Sequence, residues 1–94
     1  MHKEEDKLQK FYNIFALELK VNGIEISSPV FHDYHFICNI NGFNKDKIDN
    51  FLVKVYYKPN TNSFRLIIPE KSLIKPDLIK IFNITENKIK FSCK

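Results

Sequence analysis

Large apolar residues occupy every second position from residue 15 to residue 21, in the sequence FALELKV. A period of two is typical of a β-strand with one buried face. Asn22 and Gly23 follow, and both tolerate the positive φ angles that a two-residue hairpin loop requires. The pattern therefore predicts a β-hairpin over residues 15–28, with Val21 opposite Ile24.

Residues 3–13 have the spacing of an amphipathic helix. Leu8, Phe11 and Tyr12 recur at helical intervals, and acidic residues precede the lysines, which suits the helix dipole. We expect this apolar stripe to cover the sheet. The alternative is that Leu8, Phe11 and Tyr12 dock on a partner or on a second copy of the chain.

The middle of the chain predicts a strand followed by a short helix. Apolar residues alternate over residues 34–40, as in a strand. Asn44 could cap a helix, because Ile48, Phe51 and Leu52 follow at helical spacing. We therefore expect a short helix near residues 44–52.

Two further hairpins are predicted in the second half. Residues 52–57 and 63–69 are rich in strand-forming residues and are separated by the turn sequence KPNTN. Residues 78–91 read as a last hairpin about Glu86 and Asn87. A competing interpretation makes Asp77 a helix N-cap and residues 78–83 a helical turn.

These elements predict one α+β domain over residues 1–94, a length that supports a single core. The domain is mainly an antiparallel β-sheet built from about three hairpins. An N-terminal amphipathic helix and the short helix near 44–52 complete it.

The charge balance favours acidic partners, because the formal net charge is +4. Arg65 is the only arginine, however, and lysine lacks the planar fork that arginine offers to phosphates and bases. An AT-rich genome would also favour lysine over arginine. The charged N-terminus lacks a signal-peptide core, and no stretch reaches the ~18 apolar residues of a membrane span, so we expect a cytoplasmic protein.

The residues from His32 to Cys38 are the one candidate for a chemical site. On a helix, His32, His35 and Cys38 could ligate zinc together with Cys93. The segment reads as a strand, on which the two histidines point to opposite faces unless a bend intervenes near His32. We therefore predict no metal site and expect reduced thiols, although the sequence does not decide whether the two cysteines pair.

His32 and His35 are also the weak catalytic candidates, because two histidines beside basic residues could cleave RNA by acid–base catalysis. This is the hypothesis of a small RNA-cleaving toxin. Two glycines in the whole chain leave no Gly-rich loop for a nucleotide, so we predict no cofactor.

The leading interpretation is a small non-enzymatic accessory or inhibitor-type protein, such as phages and mobile elements encode, that docks on a protein or nucleoprotein partner. The first alternative is a domain that binds single-stranded nucleic acid. For that role Lys54, Tyr56 and Arg65 would place an aromatic ring among cationic side chains on one sheet face. The RNA-cleaving toxin is the second alternative.

Overall fold

The computed structural model describes residues 3–44, 47–69, 72 and 74–92. Within these ranges the chain forms two helices and five strands, which confirms the predicted α+β class with an N-terminal helix. The elements are α1 (Lys3–Val21), β1 (Glu25–Ile26), β2 (Val30–Phe31), β3 (His35–Asn44), β4 (Lys47–Lys58), β5 (Ser63–Ile67) and α2 (Lys75–Ser92).

The strands form one antiparallel sheet in the order β1-β3-β4-β5, and β2 pairs with the same edge of β3 as β1 does. Ile26 lies opposite Ile40, and Val30 lies opposite Ile37. Between the two short strands, the Ser27 amide donates to the Asn39 carbonyl at 2.9 Å. Together β1 and β2 therefore act as one interrupted edge strand of a four-row meander.

The predicted hairpin over residues 15–28 is wrong, because α1 continues through its first strand to Val21. Phe15 and Leu19 are fully buried, whereas Leu17 is 62% and Val21 76% exposed. A strand would place these alternating residues on one face. The buried set instead continues the stripe of Leu8 and Phe11 at helical spacing.

Asn22 and Gly23 end the helix and do not form a hairpin loop. Gly23 has a φ of 75° and its amide donates to the Lys20 carbonyl at 3.0 Å, while the Ile24 amide donates to the Leu19 carbonyl at 2.9 Å. This is the bonding pattern of a Schellman C-cap. Ile24 and Leu19 are both buried, so the cap directs the chain from α1 into β1.

The short helix expected near 44–52 is also wrong, because this segment belongs to the long β3–β4 ladder. Asn41 pairs with Asn50, and the Asn50 side-chain amide donates to the Asn41 side-chain oxygen. Asn44, the expected cap, is itself paired with Lys47. Asp46, expected in the first helical turn, lies outside the described residues.

The predicted hairpin over 78–91 is replaced by α2, which contains the helical turn of the competing interpretation. Its buried side chains follow helical spacing. The Thr85 hydroxyl lies in the core and donates to the Ile81 carbonyl at 2.9 Å, so burial leaves this polar group satisfied. Among the residues of α2 whose burial is described, the buried ones are Leu78, Ile81, Phe82, Thr85 and Ile89.

The hairpin of β4 and β5 is confirmed in its strands, its turn and its faces. Tyr57 lies opposite Phe64, and Val55 lies opposite Leu66. The Tyr57 hydroxyl donates to the side-chain oxygen of Asn62 in the turn at 2.9 Å. This hairpin therefore places Val55, Tyr57, Phe64 and Leu66 on the core side.

Both helices pack on the same face of the sheet. Lys88 on α2 forms an ion pair with Glu18 on α1. The carboxylate of Glu86 accepts a hydrogen bond from the Phe64 amide at 2.8 Å and so ties α2 to the edge strand β5. The core lies between the helical layer and the sheet.

A close approach between Gly42 on β3 and Ile74, just before α2, allows this packing. A Cβ atom built at Gly42 would clash with Cδ1 of Ile74 and would lie 3.1 Å from its Cγ1. Ile74 is buried, so its side chain cannot simply turn into solvent. The absence of a side chain at residue 42 is therefore a packing requirement.

Because residues 17–19 are helical, substitutions at Leu17 and Leu19 should differ greatly in their effect on stability. Leu19→Ala should lower the free energy of unfolding by about 2 to 5 kcal/mol, because it opens a cavity in the core. Leu17→Ala should change it by no more than about 0.5 kcal/mol, because the side chain is mostly exposed. Urea unfolding followed by circular dichroism measures both, and equal losses would indicate the strand that the sequence pattern suggests.

A methyl group added at Gly42 should destabilise the protein. Gly42→Ala should reduce the free energy of unfolding by about 1 to 3 kcal/mol through overpacking against Ile74. Combining it with Ile74→Val should recover part of that loss, because the shorter side chain lacks Cδ1. A stabilised Gly42→Ala variant in the same urea assay would contradict this contact.

Candidate binding face of the sheet

The face of the sheet opposite the helices has no helix over it in the described part of the chain. Along each strand, every second side chain points to this side. We call this surface the open sheet face. Its outward-facing residues include Val30, His32, His35, Ile37, Leu52, Lys54, Tyr56, Lys58, Arg65 and Ile67.

Two rows of residues cross the open sheet face side by side. In the first row His35, Tyr56 and Arg65 are direct partners on β3, β4 and β5. In the second row Ile37, Lys54 and Ile67 are partners on the same strands, and Val30 extends the row onto β2. Direct cross-strand partners lie ~5 Å apart at their Cβ atoms, so each row is a set of neighbours in contact range.

A tight turn adds His32 to the first row. The His32 amide donates to the His35 carbonyl at 2.8 Å, which closes a loop over Asp33 and Tyr34. This is the bend that was needed for the two histidines to share a face. Their rings stack with centroids 4.6 Å apart at 16°, and His35 stacks on Tyr56 at 4.7 Å and 28°.

The surroundings of His35 favour the uncharged form of its imidazole. Burial lowers the pKa of its imidazole below the ordinary value, and His32 and Lys54 lower it further, while Asp33 acts in the opposite direction. The uncharged form of the His35 ring is therefore favoured more than that of a free imidazole. Its suggested part in the cleavage of RNA stays a prediction.

Large apolar side chains are also exposed on this face. Leu52 is 60%, Val30 59% and Ile67 43% exposed. The solvated face of an antiparallel sheet is ordinarily polar, so aliphatic residues here add nothing to the core. Val30 and Ile67 belong to the second row and Leu52 lies next to it on β4, so apolar surface adjoins the aromatic first row.

The zinc ligands considered from the sequence do not converge. Cys38 pairs with Val53 on the core side of the sheet, away from the stacked histidines, and Cys93 lies outside the described residues. Within the described ranges no group of three His, Cys, Asp or Glu residues could hold a metal ion. Burial raises the pKa of the Cys38 thiol to about 12, so it is a neutral core side chain.

The three helix residues considered for docking all make contacts within the fold. Leu8 and Phe11 are fully buried against the sheet and α2, which leaves them no surface for a partner. Tyr12 is half-buried, and its hydroxyl donates to the Ser27 carbonyl at 2.7 Å. Desolvation raises the pKa of this phenol, and the nearby Cys38 raises it further.

Sequence reasoning placed Lys54, Tyr56 and Arg65 on one face, and the structure brings them together there. It did not find that His32 and His35 complete the same row. The sequence contained a signal for this turn. Asp33 and Tyr34 separate two strand-like segments, and two residues are the length of a tight hairpin loop.

Comparison with known protein families, curated proteins and solved structures finds no match for this chain. No helix in the described ranges is long and apolar enough to cross a membrane. The fold and the site define a two-layer α+β protein with both helices on one face of a four-row sheet and an aromatic, basic row on the other.

The environment of Cys38 predicts a slow thiol reaction. In a Cys93→Ser variant, Cys38 should react with a thiol reagent at neutral pH only as fast as the domain opens, because the thiol is buried and protonated. Urea above the unfolding midpoint should restore the rate of a free cysteine. Fast reaction in the folded variant would show that the core at β3 is accessible.

Proposed function

We propose that the chain is a non-enzymatic binding protein and that the open sheet face is its binding surface. The observation that carries this proposal is the composition of that face. A stacked aromatic row and three exposed aliphatic side chains lie together on the side of the sheet that the helices leave free. Such side chains gain by being covered, because burial removes apolar surface from water.

Two other surfaces considered for docking, the stripe of α1 and the edge strand β5, are less suited to it. The apolar stripe of α1 is used by the core, as Leu8 and Phe11 show. At the edge strand β5, the outward amide of Phe64 already donates to Glu86, so an added strand could not pair there without displacing this carboxylate. The open sheet face requires no such rearrangement.

A binding surface also explains the choice of residues on β4. Lys54 and Tyr56 alternate with the buried Val53 and Val55, so the strand has a regular pattern of inward and outward residues. Leu52 also faces outward, but unlike Lys54 and Tyr56 it has no polar group. Its apolar side chain has no partner in the core and is available to a bound molecule.

The proposal is tested by two substitutions at leucines of nearly equal exposure. Leu52→Glu places a charge on the open sheet face, and Leu17→Glu places one on the outer side of α1, where exposure is 62% compared with 60%. The tagged proteins are incubated with cell lysate, with and without nuclease, and the retained molecules are identified. Leu52→Glu should lose the partner of the wild type, and Leu17→Glu should keep it.

Circular dichroism and thermal unfolding of both variants serve as controls for folding. Retention of the same partner by folded Leu52→Glu, together with its loss in Leu17→Glu, would contradict the proposal and assign binding to the helical layer.

A further inference from the structure

We propose that the molecule bound on the open sheet face is single-stranded nucleic acid, whose bases extend the stack formed by His32, His35 and Tyr56. This inference rests on the proposed function, because it requires that the open sheet face is the binding surface. It adds the chemical class of the ligand and the residues that recognise it.

The stack supplies a platform for planar ligands. Centroid distances of 4.6 and 4.7 Å at small interplanar angles describe offset parallel rings, the arrangement that bases also adopt on aromatic side chains. The inner face of each end ring is covered by His35. The other face of the His32 ring is at the sheet edge, where His32 is exposed, and the other face of the Tyr56 ring is on the side of β5, where Arg65 is the next residue of the row.

Three cationic side chains surround the Tyr56 end of the stack. Arg65 is its direct partner on β5, and Lys54 and Lys58 lie two residues before and after it on the same face of β4. Two residues along a strand span about 7 Å, so Lys54 and Lys58 each lie at about that distance along β4 from Tyr56. A base stacked on Tyr56 would carry its phosphates into reach of these side chains.

The carboxylates on this side of the sheet lie away from the end of the stack at which Arg65 stands. Glu25, opposite Asn41, lies six residues along β3 from His35, which is about 20 Å in a strand. Asp33 is exposed in the turn beside the histidines, at the opposite end of the row from Arg65. Positive charge is therefore concentrated around Tyr56.

These features together favour a single-stranded nucleic acid over a duplex and over an acidic peptide. A duplex hides the faces of its bases within its own stack, so it could use the cations but not the rings. An acidic peptide would likewise use Lys54, Lys58 and Arg65 and leave the stack without a ligand. An unpaired strand uses both, because it exposes base faces and phosphates at once.

The test is fluorescence anisotropy with labelled oligonucleotides of about 12 nucleotides, a length within the range of single-strand sites on small domains. The probes are single-stranded DNA, single-stranded RNA and the DNA duplex of the same sequence. The wild type should bind the single strands more tightly than the duplex. With three phosphate contacts, the slope of log affinity against log salt should be about −2.

Two pairs of variants test whether the oligonucleotide binds at Tyr56 and the cations around it. Tyr56→Leu removes the ring and should weaken binding at least about 5-fold, whereas Tyr56→Phe keeps the ring and should recover most of the affinity. Lys54→Ala should weaken binding and make the salt slope shallower by about 0.7. Lys80→Ala removes the same charge from the exposed side of α2 and should change neither quantity.

Several outcomes would overturn the inference. The first is no binding of either single strand at low salt, and the second is binding that neither Tyr56→Leu nor Lys54→Ala weakens. If oligonucleotides do not bind but Leu52→Glu still abolishes capture of a nuclease-resistant partner, the ligand is a protein and the proposed function stands. If the wild type shortens the RNA probe and His35→Ala does not, the chain is an enzyme and the proposed non-enzymatic function fails.

Discussion

The position of Phe11 is the constraint on which the rest of the fold depends. Its ring lies 4.5 Å from that of Phe64 on β5, 5.4 Å from Phe82 on α2 and 6.3 Å from Phe36 on β3. One buried side chain thus contacts the sheet and the second helix at once. Both helices must therefore lie on the same face of the sheet, because only there can Phe11 reach them all.

A functional consequence follows from this one-sided arrangement. The described core contains no residue of the open sheet face, so the core does not determine which side chains occupy that face. At such positions polar residues would keep the protein soluble at no cost to stability. The aromatic row and the exposed Val30, Leu52 and Ile67 are therefore the residues to which we propose a partner binds.

The predictions that were wrong concern segments whose local pattern fits both a helix and a strand. In residues 15–21, Phe15 and Leu19 are four apart and Leu17 lies between them, so helical and strand periods are both present. Gly23 supplies a positive φ that a hairpin loop and a helix C-cap need equally. Similarly, residues 78–91 have β-forming side chains by propensity, yet they bury a helical stripe.

The sequence by itself determined the α+β class, the beginning of the N-terminal helix and the β4–β5 hairpin with its two faces, which placed Lys54, Tyr56 and Arg65 together. Those elements depend on contacts between residues close in the chain. The tertiary structure alone decided that α1 continues to Val21, that residues 75–92 are helical and that His32 joins His35 and Tyr56. These outcomes depend on which side chains Phe11 and the sheet bury and on which strands pair, and burial outweighs the small differences in local propensity.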